Sequence, residues 1–245
     1  MGYYLRSSAM FLQTKSYLLL IVVVLLLSAP AVSAQTEPAH KLVEFHLALL
    51  RHGPKWTTTD NAEKERLKAE HLNYVMSLLD SGKAIIAGPF TDGGEISGVF
   101  IFRAKSAEEA KAWVDADPTI AAGLQIEEMH PWWSEDIFSK PAKPLKLVPL
   151  YFAFLTRGEK WTPDKTPATE ELQKGHMANI NRLAGMKKLI AAGPFGDDGR
   201  LRGIFVFRVA SLDEAKALTA TDPAVQAGRL AVELHTWMVP EGILP

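Results

Sequence analysis

The 245-residue chain carries 27 basic and 28 acidic side chains, a net charge of −1, and no cysteine. That balance leaves no electrostatic footprint for nucleic acid, and the missing thiols exclude disulfides, thiolate catalysis and cysteine-based metal sites. Stability must come from packing, and the length suffices for one large domain or two of about 100 residues each.

The N-terminus reads as an export signal. Arg6 and Lys15 precede an apolar run from Tyr17 to Leu27, Ser28-Ala29-Pro30 breaks it, and Val32-Ser33-Ala34 offers small residues at the cleavage positions. Residues 1–34 are therefore expected to leave as a signal peptide, cut after Ala34, with the mature protein secreted or periplasmic and free of the membrane. The run is shorter than the roughly 18–20 apolar residues of a spanning helix. A retained anchor is the alternative.

Past that segment the periods alternate. Val43, Phe45, Leu47 and Leu49 fall at period two and predict a strand; a polar loop follows, then a helix from about Asn61 to Leu79. The stretch "AIIAGPF" is a short apolar strand, Asp92-Gly93-Gly94 turns the chain, and Gly98 to Arg103 returns it as the second arm of a hairpin. Gly88-Pro89 and Gly94 read as backbone punctuation. Ser106 to Glu109 is a capping box for a second helix through Val114, and Leu124 to His130 makes a fourth strand.

The same order then recurs. Gly88-Pro89-Phe90 maps onto Gly193-Pro194-Phe195, 105 positions later, and the same offset carries Lys55-Trp56-Thr57 onto Lys160-Trp161-Thr162. About a third of aligned positions are identical without a gap, which identifies two copies of one domain. The expected organisation is a first repeat at 42–137, a Pro/Lys-rich connector at 138–147 and a second repeat at 148–245. The fold class is α+β, with two tandem ferredoxin-like β-α-β-β-α-β repeats. Helices cover one face of each sheet, and the other face carries apolar residues that one copy cannot bury alone. Packing the two open faces together gives a barrel-like intrachain pseudo-dimer, and a monomer is expected.

Several residues carry candidate chemistry. Leu67, His71, Tyr74, Val75 and Leu78 share one helical stripe, so the imidazole lies toward the sheet; Leu172, His176, Ile180 and Leu183 repeat the register. An imidazole suits proton transfer, with an unperturbed pKa of about 6.5 that neighbours can move. A satisfied core histidine is the competing reading. Asp117 and Asp222 are the natural partners, yet each precedes a proline and reads equally as a helix N-cap. A capping carboxylate can still orient an imidazole through its second oxygen.

Glu128, His130 and Trp132 share one face of the last strand, as do Glu233, His235 and Trp237. Each Glu-x-His pair is a candidate ligand contact, with a polar ladder at a sheet edge as the alternative; two ligands are too few to argue a metal site. Arg103 and Arg208 end their strands and are candidate anion contacts or surface pairs. The chain shows no cofactor motif, and none is expected; the expected partner is a small molecule.

A helix His, then "AGPF.D.G...G.F.F", then "S..EAK", then "DP...AG" before a last strand resembles the YciI-like (YCII-related) family across positions 43–133 and 148–238. The resemblance implies a dimeric α+β barrel related in shape to muconolactone isomerases. It also implies enzymatic use of a His–Asp pair, which maps onto His71 with Asp117 and His176 with Asp222. One branch is similar to dehydrochlorinases acting on chlorinated hydroxyquinones. Duplication and export depart from the single-domain cytoplasmic pattern. The function expected is that of a lyase or isomerase acting on a small cyclic or aromatic acid; the alternative is an exported, non-catalytic small-ligand-binding module.

Overall fold

The structure, a computed structural model, describes residues 41–141 and 143–245; the expected signal peptide lies outside the described residues. The first repeat runs β1 (Leu42–His52), α1 (Ala62–Asp80), β2 (Ala84–Pro89), β3 (Ile96–Phe102), α2 (Ala107–Asp115), α3 (Pro118–Ala121) and β4 (Gln125–Glu135). The second follows as β5 (Leu147–Arg157), α4 (Pro167–Gly185), β6 (Leu189–Pro194), β7 (Leu201–Phe207), α5 (Leu212–Thr219), α6 (Pro223–Gln226) and β8 (Leu230–Pro240). Each repeat forms a four-stranded antiparallel sheet, ordered β2-β3-β1-β4 and β6-β7-β5-β8. The expected α+β architecture of two tandem ferredoxin-like units is therefore present.

Local chemistry sets the helix starts. The Asn61 side chain accepts the Lys64 N–H at the head of α1, and α4 begins at Pro167 behind a reciprocal Thr166/Thr169 capping box. At α2, Ser106 Oγ accepts the Glu109 N–H, but the Glu109 carboxylate reaches one residue further back than a capping box requires, to the Lys105 N–H. Glu214 does the same with Ala210.

Alternation along β1 divides its side chains between two cores. Ala48 and Leu50 pack with Leu78 of α1, Val114 of α2 and Phe100 of β3. Phe45, Leu47 and Leu49 point the other way and join Phe152, Phe154 and Trp237 of the second repeat in one cluster. The open faces expected from the sequence thus cover one another, and each fully buried Phe, Leu or Ile there contributes about 1.5–3 kcal/mol of hydrophobic stabilisation.

The sheets also meet at their edges, where β2 approaches β8 and β6 approaches β4. Antiparallel bridges join Phe90 to Trp237 and Trp132 to Phe195. The Thr91 N–H donates to the Thr236 carbonyl at 3.0 Å and the Gly196 N–H to the Pro131 carbonyl at 2.8 Å. The indole N–H of Trp237 reaches the Gly88 carbonyl at 3.1 Å, and that of Trp132 the Gly193 carbonyl at 3.2 Å. A Cβ on Gly88 would overlap the Met238 carbonyl oxygen, and one on Gly193 that of Trp133. Gly88, read from the sequence as punctuation, and its counterpart Gly193 are thus required by the approach of the other repeat. The last strand of each repeat also runs longer than expected, because its second half forms this seam.

Candidate functional site

The short turns after α2 and α5 carry the first half of each candidate pair. Asp117 is the N-cap of α3, where its Oδ1 accepts the Thr119 N–H at 2.9 Å. Its Oδ2 lies 2.7 Å from Nδ1 of His71, on the packed face of α1. In the second repeat Asp222 Oδ1 accepts the Ala224 N–H at 2.9 Å, and Oδ2 lies 2.7 Å from His176 Nδ1. One carboxylate therefore both caps a helix and orients an imidazole, so the two readings left open by the sequence coexist.

The surroundings differ between repeats. Both aspartate side chains are fully buried, whereas the His71 side chain is 23% exposed and that of His176 12%. Burial pushes the Asp222 carboxyl up, but the hydrogen bond and charge of His176, the Ala224 N–H and the nearby Asn179 amide together hold it below its ordinary 3.8. The ionised carboxylate accepts, so Nδ1 of His176 carries a proton, and in the neutral imidazole Nε2 presents a lone pair. His176 stacks on Phe205, with centroids 5.7 Å apart and an interplanar angle of 17°. His71 instead meets Phe100 edge-on at 68°.

Behind the first pair lies a buried polar chain. The Thr119 hydroxyl is 2.6 Å from both Asp117 Oδ1 and Gln125 Oε1, and the Gln125 amide bonds the Ser97 hydroxyl, which donates to the Leu50 carbonyl. Tyr74 also borders this pair; its hydroxyl donates to the Trp113 carbonyl at 2.7 Å, and burial together with the Asp117 charge pushes its pKa up. The second repeat has Ala224, Leu230 and Arg202 at the positions of Thr119, Gln125 and Ser97. There the space beside the pair opens into a cavity of about 370 Å³, bounded by His176, Met177, Trp161, Arg202 and Phe205 and by Leu42 and Glu135 at the ends of β1 and β4.

The Glu-x-His candidates do not join either pair. His130 Nδ1 lies 2.7 Å from Asp197 Oδ2 across the seam, with its Nε2 3.0 Å from Glu128, which also binds Arg51. His235 reaches across to Asp92 at 2.6 Å, while its Nε2 is buried without a hydrogen bond and lies 3.4 Å from Glu233. These histidines, read from the sequence as a ligand contact or a polar ladder at a sheet edge, are buried clasps between the repeats that also lie beside the glutamates of their own strands. Burial pushes the Asp197 carboxyl up, but His130, the Gly199 N–H and Arg202 outweigh it and the net shift is downward. Glu128 is likewise lowered, with Arg51 and His130 outweighing burial. Asp92 and Asp197 were missed in the sequence, although their recurrence 105 positions apart within "AGPF.D" was a usable signal.

Arg103 forms a two-pronged surface pair with Asp136, and Arg208 donates to the Leu244 carbonyl; neither lies among the residues bounding the cavity. Trp161 and Arg202, which do, were not singled out beforehand. Among the described residues no group of three or more metal-ligating side chains converges.

No curated protein matches the chain significantly. Among solved structures, a variant of the chlorite dismutase from Candidatus Nitrospira defluvii is similar at 12% identity and a TM-score of 0.53, covering 82% of this chain and 92% of its own. A cyanide complex of another variant is similar at 13% identity and a TM-score of 0.52, covering 80% and 90%. Identities this low show a shared fold alone. The model of the YCII-related domain matches residues 33–132 and again 153–237, most of the chain, at both repeats. The chain is therefore a member of the YCII-related domain family, carrying two copies.

Proposed function

We propose that the protein is a small-molecule enzyme of lyase or isomerase type, in which a histidine oriented by aspartate acts as general base on a small cyclic or aromatic acid. The observation that carries this reading is the 2.7 Å contact between His176 and Asp222 beside a cavity that His176 helps to line. Nε2 of His176 takes a proton from a substrate carbon activated by a neighbouring carbonyl, and Asp222 stabilises the imidazolium that forms. In an elimination, the electron pair left on that carbon closes a double bond as the leaving group departs from the adjacent carbon. In an isomerisation, the imidazolium returns the proton elsewhere on the conjugated system. His71 and Asp117 repeat the pair and are candidates for the same role in the first repeat.

Turnover of small lactones, quinones and phenolic acids, screened with thermal shift, tests the reading. Turnover by the wild type that His176→Ala lowers by about 10²–10⁴-fold, the usual contribution of a general base, is the expected result. A non-catalytic binding module is the second reading, favoured by the mainly apolar cavity wall of Met177, Ile180, Leu189 and Phe205. Ligand-induced stabilisation without any turnover selects it. Export is part of the same proposal, and a mature N-terminus at Gln35 is the expected result of terminal sequencing.

A further inference from the structure

The two copies of the candidate site are not equivalent, and the differences fall at matched positions. In the second repeat Trp161 lies under three guanidinium groups, those of Arg229, Arg202 and Arg157, at 4.5, 4.9 and 5.5 Å from its ring centroid. Cations over an indole face are held by the ring's negative quadrupole. In the first repeat the matching residues are Leu124, Ser97 and His52, and Trp56 stacks on His52 at 3.8 Å and meets a single cation, the Lys64 ammonium, at 5.4 Å. The collar of three guanidinium groups is thus a property of one half of the molecule.

Arg202 is the member of that collar that bounds the cavity beside His176. One nitrogen, Nη1, donates to the Asp197 carbonyl at 3.1 Å and lies 3.9 Å from the exposed Asp198 carboxylate. Arg157 donates to the Asp198 carbonyl at 2.5 Å, and Arg229 lies 3.4 Å from the Thr162 hydroxyl. These partners leave guanidinium donors for an incoming group, since each guanidinium offers five N–H groups. At the Arg202 position the first repeat has Ser97, whose hydroxyl is held within the buried chain to Gln125 and Thr119. The wall residue Ala184 of the cavity is matched by Leu79, which packs into the helix–sheet core of the first repeat.

We propose that ligand binding is confined to the second repeat, where Arg202 anchors the anionic group of a planar, mainly apolar acid beside His176, leaving the first repeat as a supporting half. This rests on the functional reading above for the role of His176 but is read out by binding alone. Arg157 and Arg229 hold Trp161 in place, while Met177, Ile180 and Phe205 take the apolar body.

Calorimetric titration of the purified protein with 2-naphthoate and with the uncharged 2-naphthamide tests the proposal. One naphthoate per chain is expected, preferred over the amide by roughly tenfold or more, as for a charge-assisted hydrogen bond. Arg202→Gln should abolish the preference by weakening the acid and sparing the amide. Arg202→Lys, a milder change, should retain part of it. Arg66→Gln, which removes an exposed arginine of the first repeat paired only with Glu63 and Glu70, should leave stoichiometry and affinity unchanged. Two equivalent sites, no naphthoate binding, or an acid preference untouched by Arg202→Gln in a protein with wild-type melting would each overturn the proposal. One Arg202-dependent site with no turnover of any substrate would sink the lyase or isomerase reading and leave this one standing. Turnover lost in His71→Ala but retained in His176→Ala would do the reverse.

Discussion

At the scale of single residues, the two oxygens of one carboxylate explain why Asp117 and Asp222 sit immediately before proline. Oδ1 satisfies the N–H two residues on, which fixes the carboxylate; Oδ2 is then held toward the imidazole on the neighbouring helix. Asp222→Asn separates the two tasks, since asparagine caps about as well as aspartate but carries no charge. If the base reading holds, turnover falls while the turn stays formed, because the amide no longer selects the tautomer with the proton on Nδ1. The same variant has a pH signature. The Asp222 carboxyl is lowered below its ordinary 3.8 on folding, so the unfolded chain binds its proton more readily than the native one. Its stabilising contribution is therefore complete well above that value and disappears as pH falls through the lower native one. Chemical denaturation should show the wild type losing its advantage over Asp222→Asn as pH falls from about 5 to about 3. A difference that instead grows across that interval would contradict the ionised, hydrogen-bonded carboxylate.

At the scale of elements, the periods of single strands and helices were legible in the sequence, and the repeat and the family resemblance added the pairing of the two sheets and of each histidine with its aspartate. Period two in Phe45, Leu47 and Leu49 marked a face, and the stripe from Leu67 to Leu78 placed His71 toward the sheet. The contact of His71 with Asp117 depends on how α3 docks against α1, which no local period encodes. The clasps from His130 to Asp197 and from His235 to Asp92 join opposite repeats and were further out of reach. The cavity was hidden for a different reason: it arises from paired differences such as Ala184 against Leu79, visible only once both positions are known to line the same space. The glycines of "AGPF" carry the clearest consequence at this scale. Gly88→Ala and Gly193→Ala each push a Cβ into a carbonyl of the facing strand, and should cost about 1–3 kcal/mol or more, as overpacking of a tight interface does. Gly94→Ala, where a Cβ meets nothing within 4 Å, should cost far less. Urea melts of the three variants distinguish a seam requirement from a general intolerance of alanine in the hairpins.

At the scale of the molecule, the duplication places a complete barrel in one chain. The shared core takes Phe45, Leu47 and Trp132 from one repeat and Phe152, Phe154 and Trp237 from the other, all essentially without solvent exposure. A single repeat would present half of that surface to water, and apolar patches of this kind drive self-association. Linking two copies also frees them to diverge, since a substitution in a single-repeat dimer is imposed on both sites by symmetry. Here one copy carries a buried polar chain behind its His–Asp pair while the other has an opening beside its histidine. We therefore expect the protein without residues 1–34 to run as a monomer in light scattering, and residues 42–137 expressed alone to dimerise or aggregate. A stable dimer of the whole chain, with repeats exchanged between partners, would show that the connector does not enforce intrachain pairing. A well-behaved monomer of the isolated first repeat would go further, because it would mean that the inner faces do not need one another and that the duplication has some other physical reason.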